Sequence, residues 1–243
     1  MIEVKNLSKS YGDKKAVNSI SFKVEKGEVV GLLGPNGAGK TTTMNMITGY
    51  ISMSEGEVIV NGCDILEKPL EAKKMIGYLP EIPPLYVDMT VLEYLDFVYD
   101  LKKVKMNISK RDHITDVMNT VNIESVKKRK IKNLSKGYKQ RVGFAQALIG
   151  KPEVLILDEP TVGLDPNQIM EIREVIKNLK KDHSIIFSTH ILSEVSEVCD
   201  RVILINNGII AAEKTKEEIG TGKLEELFQS LLRDGGMSDE SNL

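Results

Sequence analysis

The stretch GPNGAGKTT, Gly34 to Thr42, directly follows the short apolar run VVGLL at residues 29–33. It fits the pattern G-x-x-x-x-G-K-[ST] of a phosphate-binding loop, in which glycines let backbone N–H groups approach phosphate oxygens. In this pattern Lys40 contacts the β- and γ-phosphates and the Thr41 hydroxyl ligates Mg²⁺. A coincidental match is the alternative, and the preceding strand argues against it. The predicted phosphate contacts are Gly34, Pro35, Asn36, Gly37, Ala38, Gly39, Lys40, Thr41 and Thr42.

A phosphate-binding loop also needs an acidic partner for the metal, and the run VLILDEP at residues 154–160 provides one. Asp158 ends a short buried strand, from which it can hold Mg²⁺ through water. Glu159 can orient or deprotonate the attacking water. In isolation, a strand that ends in two solvated acids is the alternative. Together with the phosphate loop, the acid pair predicts a hydrolytic nucleotide site.

Length, composition and charge set limits on the class of protein. The 243 residues, 41% of them hydrophobic, are enough for one large domain. A net charge of −2 gives no overall field that would attract nucleic acid or an anionic membrane. Cys63 and Cys199 share no metal-ligand spacing, which favours a reducing compartment, by default the cytoplasm. We find no signal-peptide pattern and no apolar run of the ~20 residues that a membrane span needs, so we expect any membrane function to use a partner.

Hydrophobic periodicity predicts the arrangement of strands and helices. Alternating side chains at 19–24 and apolar runs at 56–62 and 75–81 predict strands in the N-terminal part. Thr90 followed by Glu93 is a capping-box pattern, and the helical period after it predicts a helical subdomain inserted at about residues 85–150. Strands and helices then alternate from residue 154, which predicts an α/β fold with a buried parallel sheet.

The C-terminal part is predicted to contain a hairpin, a helix and a tail. The sequence RVILINNGIIAAEK at residues 201–214 indicates a hairpin with Asn-Gly at its turn. The final GGMSDESNL has too little apolar content to stay ordered. We therefore expect one domain over residues 1–215, and a short helix with a disordered tail over residues 216–243. The apolar face of that helix consists of Leu224, Leu227, Phe228, Leu231 and Leu232.

The order of these motifs resembles that of the ATP-binding cassette (ABC) ATPases, from about Tyr11 to the hairpin near Lys214. The resemblance implies a P-loop NTPase fold with a mixed sheet core, an N-terminal antiparallel β subdomain and the inserted helical subdomain. It implies that Tyr11 stacks on the adenine ring of ATP. The alternative is that Tyr11 is an ordinary tyrosine of an edge strand. His190 in STH resembles the switch histidine that contacts the γ-phosphate. The alternative is that His190 has only a structural role.

A second anion site is implied by NLSKGYKQR at residues 133–141, which resembles the family signature LSGGQ. Ser135, Lys136 and Gly137 begin a helix, whose first N–H groups attract anions. The sequence GLDP, with Asp165, resembles the family's D-loop. The resemblance implies an ATP-dependent homodimer that is arranged head to tail, in which the signature of one chain closes on the γ-phosphate held by the other. Hydrolysis then removes the charge that holds the dimer closed.

Three positions depart from the family pattern. Lys136 stands where the family usually has Gly, and Tyr138 stands where it has Gln. Glu81, in YLPE, replaces a Gln that is implied to sense Mg²⁺ or water near the γ-phosphate and to relay this to the membrane partner. An ionised Glu can ligate a cation but cannot donate a hydrogen bond. These variants resemble a branch of bacterial export ATPases that includes drug, sodium and gliding-motility systems.

The function implied by the resemblance is that of an ATPase at the inner face of the cell membrane. It binds ATP and Mg²⁺ and drives a separate permease, which the branch predicts to be an exporter. The alternative is a soluble cassette acting on nucleic acid or ribosomes, but such proteins usually carry two cassettes or a long coiled coil, which this chain lacks. A module that binds ATP without turnover is disfavoured by Glu159 and His190. The basic run KKRKIK at residues 127–132 is typical of a solvated loop, with a nucleic-acid or headgroup contact as its alternative. We expect no nucleic-acid partner.

Overall fold

The computed structural model describes residues 1–219, 225–226 and 228–230. In this part of the chain the strands form two sheets. The strands are β1 (Ile2–Tyr11), β2 (Lys14–Val24), β3 (Val29–Leu33), β4 (Glu55–Val60), β5 (Cys63–Asp64), β6 (Ile76–Leu79), β7 (Val154–Leu157), β8 (Ser184–Thr189), β9 (Arg201–Asn206) and β10 (Ile209–Thr215). The helices are α1 (Lys40–Ile47), α2 (Pro69–Lys74), α3 (Val91–Leu101), α4 (Lys110–Thr120), α5 (Lys136–Leu148), α6 (Pro166–Leu179), α7 (Leu192–Val198) and α8 (Lys216–Ile219).

The larger sheet is mixed, with the strand order β10-β9-β3-β8-β7-β6. Its strands pair in parallel except for β10, which is antiparallel to β9. A parallel sheet is covered on both faces, and accordingly every residue of β3 and of β7 is buried. The expected α/β class with a mixed sheet core is therefore confirmed.

The smaller sheet is antiparallel, with the order β2-β1-β4-β5, as the resemblance implied for the N-terminal part. It packs on one face of the mixed sheet together with α1 and α2, and helices α3 to α7 pack on the other face. Alternate side chains of β3 point to opposite faces, so Val30 and Leu32 join the core under the antiparallel sheet, whereas Val29 and Leu33 join the helical core. The central strand is thus fixed from both sides, immediately before the phosphate-binding loop.

The helical block consists of α3, α4 and α5, which lie between β6 and β7 in the chain. The predicted capping box is present, because the Thr90 hydroxyl accepts a hydrogen bond from the Glu93 N–H at 3.3 Å and the Glu93 carboxylate accepts one from the Thr90 N–H at 2.8 Å. His113 of α4 is buried, and its Nε2 accepts a hydrogen bond at 3.0 Å from the N–H of Gly150. Helix α4 thereby holds the chain just beyond the C-terminal end of α5.

Strands β9 and β10 form the predicted hairpin, with Asn207 and Gly208 at positive φ in its turn. Phe228 is buried against the helical core. The other residues of the expected C-terminal helix, Leu224, Leu227, Leu231 and Leu232, lie outside the described residues, as does the expected disordered tail. None of the helices that the structure describes is long and apolar enough to cross a membrane.

Gly31, in the middle of β3, lies against the residue that follows α7. A Cβ atom at this position would stand 2.7 Å from Sγ of Cys199, closer than packed atoms allow. Strand and helix approach this closely because glycine has no side chain. Cys199 is fully buried at the contact, and burial raises the pKa of its thiol.

Candidate nucleotide site

The carboxyl ends of three neighbouring strands meet at one edge of the mixed sheet. The phosphate-binding loop follows β3, the pair Asp158 and Glu159 follows β7, and His190 follows β8, which lies between the other two strands. Ligands of open α/β sheets bind at this edge. A cavity of about 590 Å³ opens there. The predicted site residues that line it are Tyr11, Asn36, Gly37, Gly39, Lys40, Thr41, Thr42, Glu81, Glu159 and His190.

The phosphate-binding loop curls around the ammonium group of Lys40. This group is buried, and it donates hydrogen bonds to the backbone oxygens of Gly34 at 2.8 Å and Pro35 at 3.2 Å. A Cβ atom on Gly34 would overlap the backbone oxygen of Ile205 in β9. Gly39 has a φ of 106°, a conformation that suits glycine alone. The glycines of the motif therefore serve close packing as well as access to phosphate.

Glu159 joins the phosphate-binding loop to the end of β8. One of its carboxylate oxygens lies 3.4 Å from Nζ of Lys40, and the other lies 3.0 Å from Nδ1 of His190. Glu159 is buried and has a φ of 47°, an uncommon conformation for a residue with a side chain. Strained residues of this kind concentrate at functional sites. The arrangement places a carboxylate between a cation and an imidazole.

Asp158 is held by hydroxyl groups. It is buried and accepts hydrogen bonds from the Ser188 hydroxyl at 2.5 Å and from the Thr41 hydroxyl at 3.3 Å. The same Ser188 oxygen accepts the N–H of Glu159 at 2.9 Å, so one side chain orients both acids. Burial raises the pKa of Asp158, and the hydrogen bonds from Ser188 and Thr41 oppose this effect by lowering it. The negative charges of Glu159 and Glu81 raise the pKa further.

The oxygen atoms around Asp158 suit a hard divalent cation. The Thr41 hydroxyl and the Asp158 carboxylate are adjacent, and two further carboxylates add negative potential. Across residues 1–219 and the short described segments after them, no group of three or more His, Cys, Asp or Glu side chains could hold a metal by itself. A cation such as Mg²⁺ would therefore complete its coordination with water and phosphate oxygens, as it usually does in nucleotide sites.

The exposed Tyr11 also lines this cavity. Its ring centroid lies 5.3 Å from Nζ of Lys9, in the range of a cation–π contact. Lys14 and Lys15 line the same cavity. The walls of the cavity therefore carry an exposed aromatic ring and basic side chains as well as the phosphate-binding loop.

The remaining predicted nucleotide contacts lie elsewhere. Ser135, Lys136, Gly137 and Asp165 do not line the cavity of the phosphate-binding loop. Ser135 is the N-cap of α5 and Asp165 is the N-cap of α6. The side chains of Ser135, Lys136 and Asp165 are exposed. The structure thus divides the predicted contacts between two surfaces of the chain.

The two capped helices begin side by side. A Cβ atom on Gly137 would overlap Oε1 of Gln168, in the first turn of α6, and a Cβ atom on Gly163 would overlap Nζ of Lys136. Both helix N-termini, with the partial positive charge that they carry, therefore belong to one surface. We call this surface, formed by Ser135–Gly137 and Gly163–Asp165, the signature face.

The ABC transporter family model matches residues 17–162. The match is more than half of the chain and includes the phosphate-binding loop, Ser135–Gly137 and the acid pair. The chain belongs to the ABC transporter family. Family membership makes it an ATP-binding and ATP-hydrolysing subunit of a transporter and confirms the ABC ATPase fold.

Two curated relatives and one solved structure illustrate the similarity. This ABC ATPase is 39% identical to the lantibiotic transport ATP-binding protein SrtF of Streptococcus pyogenes, over 95% of this chain and 96% of SrtF. It is 38% identical to the linearmycin resistance ATP-binding protein LnrL of Bacillus subtilis, over 90% of this chain and 70% of LnrL. A cassette solved as a dimer in a post-hydrolysis state with ADP and Pi superposes with a TM-score of 0.80 at 25% identity, covering 89% of this chain and 99% of that one.

Ser188 is the residue of the ABC ATPase site that the sequence did not reveal as an anchor of the acid pair. Its hydroxyl becomes important only because β7 and β8 pair in parallel, with Leu157 opposite Phe187. This register places the residues that follow, Asp158 and Ser188, next to each other. A prediction of which strands are neighbours would have identified the contact.

Proposed function

We propose that this ABC ATPase works as a head-to-tail homodimer that binds two ATP molecules with Mg²⁺ and drives a separate membrane-spanning exporter. The division of the predicted contacts between two surfaces carries the proposal. Residues of the phosphate-binding loop and Glu159 line one cavity, and Asp158 contacts Thr41 of that loop, whereas the signature face is exposed outside the cavity. A second copy can bring its signature face to that cavity. The related cassette that was solved as a dimer with ADP and Pi supports this arrangement.

Within one chain, the cavity would bind both ends of ATP. Backbone N–H groups of residues 34–42 and the Lys40 ammonium bind the β- and γ-phosphates. Tyr11 stacks on the adenine ring. Thr41 and Asp158 would hold Mg²⁺, which would neutralise phosphate charge, and the Glu81 carboxylate lines the same cavity as Thr41.

Glu159 and His190 are the proposed catalytic pair. The Glu159 carboxylate orients and deprotonates the attacking water, and the charged Lys40 and the His190 ring fix its two oxygens. His190 contacts the γ-phosphate through its other ring nitrogen. The signature face of the second chain, with its helix N-termini, stabilises the charge of the same phosphate from the opposite side.

Mixed dimers test the shared site directly. Lys40→Ala removes the phosphate-binding cation, and Ser135→Glu places a negative charge on the signature face. Each purified variant alone is expected to be inactive. In an equal mixture, about half of the dimers contain one chain of each kind and therefore one intact site of two, so ATP hydrolysis should recover toward about a quarter of the wild-type rate. A mixture that is no more active than the two variants measured separately would contradict the composite site.

The proposed permease contact is a second cavity, of about 720 Å³, between α1 and the helical block. Tyr50 and Ile82 on its walls are 77% and 82% exposed, and Thr41 and Glu81 line both this cavity and the nucleotide cavity. Exposed apolar side chains gathered at a groove favour a protein partner. A short amphipathic helix from a cytoplasmic loop of the permease fits this surface.

Crosslinking of the purified complex tests this surface. Ile82→Asp is expected to prevent co-purification with the membrane protein and to leave the ATPase activity of the isolated subunit intact. Ile209→Asp is the matched control, since Ile209 is also exposed but lies in the β10 hairpin. Crosslinks that map to the C-terminal residues, with both variants still bound, would contradict the assignment.

The direction of transport is proposed from the relatives. SrtF serves lantibiotic transport and LnrL serves linearmycin resistance. Removal of a toxic compound from the cell is one physical basis of resistance, so we propose export from a subunit peripheral to the cytoplasmic side of the membrane. Co-purification with RNA or ribosomes in place of a polytopic membrane protein would favour the soluble alternative.

A further inference from the structure

A buried carboxylate outside the nucleotide cavity joins two of the loops that form it. Glu194 lies in α7 and is 1% exposed. Its Oε1 accepts a hydrogen bond from the Thr161 hydroxyl at 2.5 Å, and its Oε2 accepts one from the Thr189 hydroxyl at 2.6 Å. Both threonines are themselves buried. The three side chains form a bridge between the residues after β7 and the end of β8.

The two bridged threonines stand next to the proposed catalytic pair. Thr161 follows Glu159 by two residues, and Thr189 directly precedes His190. Nδ1 of His190 lies 3.0 Å from a carboxylate oxygen of Glu159 in the same two loops. A change in the spacing between the loops would therefore change this distance.

The hydrogen bonds of the bridge have a fixed direction. The oxygen of Thr189 accepts the N–H of Ile191 at 3.0 Å, which leaves its single proton for Glu194. A buried carboxylate is costly unless its oxygens receive such bonds. Among the ion pairs of the described residues, none gives Glu194 a cation. A well-packed apolar residue would fill the same space at less cost to stability, so the carboxylate calls for a role beyond packing.

We propose that Glu194 is a positioning residue for ATP hydrolysis, which sets the distance between Glu159 and His190 by joining Thr161 to Thr189. The inference rests on the proposed function, in which this pair acts on water and the γ-phosphate. Glu194 lines neither of the two cavities described above. Its loss should therefore reduce the rate of the chemical step and leave ATP binding unchanged.

Glu194→Gln tests the bridge with a side chain of the same shape. The amide retains one acceptor oxygen but directs N–H protons at the other hydroxyl. We expect kcat for ATP to fall about 10- to 100-fold, since small misplacements at an active site have effects of this size, with the KM for ATP unchanged. Glu197→Gln is the matched control, because Glu197 lies on the same helix but its side chain is half exposed and pairs with Arg173.

A second pair of variants separates positioning from folding. Thr161→Val removes the hydroxyl and keeps the shape of the side chain, whereas Thr161→Ser retains the hydroxyl. We expect kcat to fall in Thr161→Val and to be largely retained in Thr161→Ser, at equal ATP affinity. This comparison decides the question even if Glu194→Gln does not fold. A purely structural role would lower the melting temperature without separating kcat from KM.

The same assay includes the wild-type protein and Glu159→Gln. Wild-type kcat in Glu194→Gln and Thr161→Val, or a parallel loss of kcat and ATP affinity, would overturn the inference while leaving the proposed function intact. A wild-type protein without hydrolysis, or an unimpaired Glu159→Gln, would overturn the proposed function and the inference with it.

Discussion

The nucleotide cavity and the signature face differ in how their polar groups are satisfied. At and beside the cavity, Lys40, Asp158 and Glu159 are buried, and each contacts partners from its own chain. On the signature face, Ser135 and Lys136 are exposed to solvent, and two helix N-termini open on the surface. The chain therefore preorganises one half of the proposed site by itself and offers the other half to a second molecule.

The contrast has a simple electrostatic basis. Buried charged groups must be paired, because desolvation is costly and the surroundings screen little. This requirement fixes the geometry of the cavity before a ligand binds. Exposed groups keep their hydration and are screened by salt, so their contribution appears only when a partner excludes water. We therefore expect substitutions in the cavity to impair ATP binding or hydrolysis, and substitutions on the signature face to impair the association of two chains.

The largest effect is expected in the cavity from Glu159→Gln. The amide cannot act as a base, so ATP hydrolysis should fall at least about 100-fold, within the range that general bases contribute. The ATP-bound dimer should accumulate, because its signature contacts are intact. Phosphate release and size-exclusion chromatography with ATP measure the two results. Unimpaired hydrolysis by a protein that stays monomeric would contradict the role assigned to Glu159.

Lys40→Ala should weaken ATP binding itself. It removes the phosphate contact and leaves the buried Glu159 without its cation, so we expect about a 100-fold loss of affinity by calorimetry. Lys15→Ala is the control, since Lys15 lines the same cavity but is exposed. Equal affinities for wild type and Lys40→Ala would contradict the assigned role.

Lys136→Glu should affect the association of two chains while leaving ATP binding by one chain unchanged. Reversing this charge on the signature face should weaken ATP-dependent dimerisation about tenfold, by loss of electrostatic complementarity, and more at low salt than at high salt. Lys128→Glu makes the same charge change in the basic run outside that face. If both variants dimerise equally well, the signature face is not the contact surface.

The smallest effect concerns the support of α5 by His113. Burial lowers the pKa of this imidazole, and the nearby charge of Lys151 acts in the same direction. The folded protein therefore keeps His113 neutral, whereas the unfolded chain binds a proton below pH ~6.5. Stability from this group is present above that pH and is lost as the pH falls toward the folded-state pKa, by at most about 1.4 kcal/mol per pH unit.

Denaturant unfolding at pH 7.5 and 5.5 measures this loss. In His113→Gln the free energy of unfolding should depend less on pH than in the wild type. The remaining slope should include His183, whose pKa burial also lowers. If the free energy of unfolding depends on pH equally in the variant and the wild type, His113 does not contribute to the pH dependence of stability.

The local features of the fold were predictable because adjacent residues determine them. The capping box at Thr90, the hairpin turn and the phosphate-binding loop each depend on short patterns, and the structure contains all three. The strand order was not predictable from such patterns, because it depends on contacts across the whole chain. For the same reason the acids at the end of β7 could be predicted, but Ser188, which orients them, could not.

The signature face shows a different limit of prediction from the sequence. The helix start at Ser135 was predicted, whereas the N-cap position of Asp165 was not. Their placement away from the phosphate-binding loop of the same chain depends on the tertiary structure. Only the resemblance to a family implied that a second molecule would be needed, and the exposed position of these residues supports that hypothesis.

The close contact between Gly31 and Cys199 makes the Cys199 thiol a probe of local opening of the fold. A thiol that is fully buried and has a raised pKa reacts with alkylating reagents only after the contact opens. Cys63 is only partly buried and should react sooner. The rate at which Cys199 is alkylated, after Cys63, would thus measure how fast α7 separates from β3.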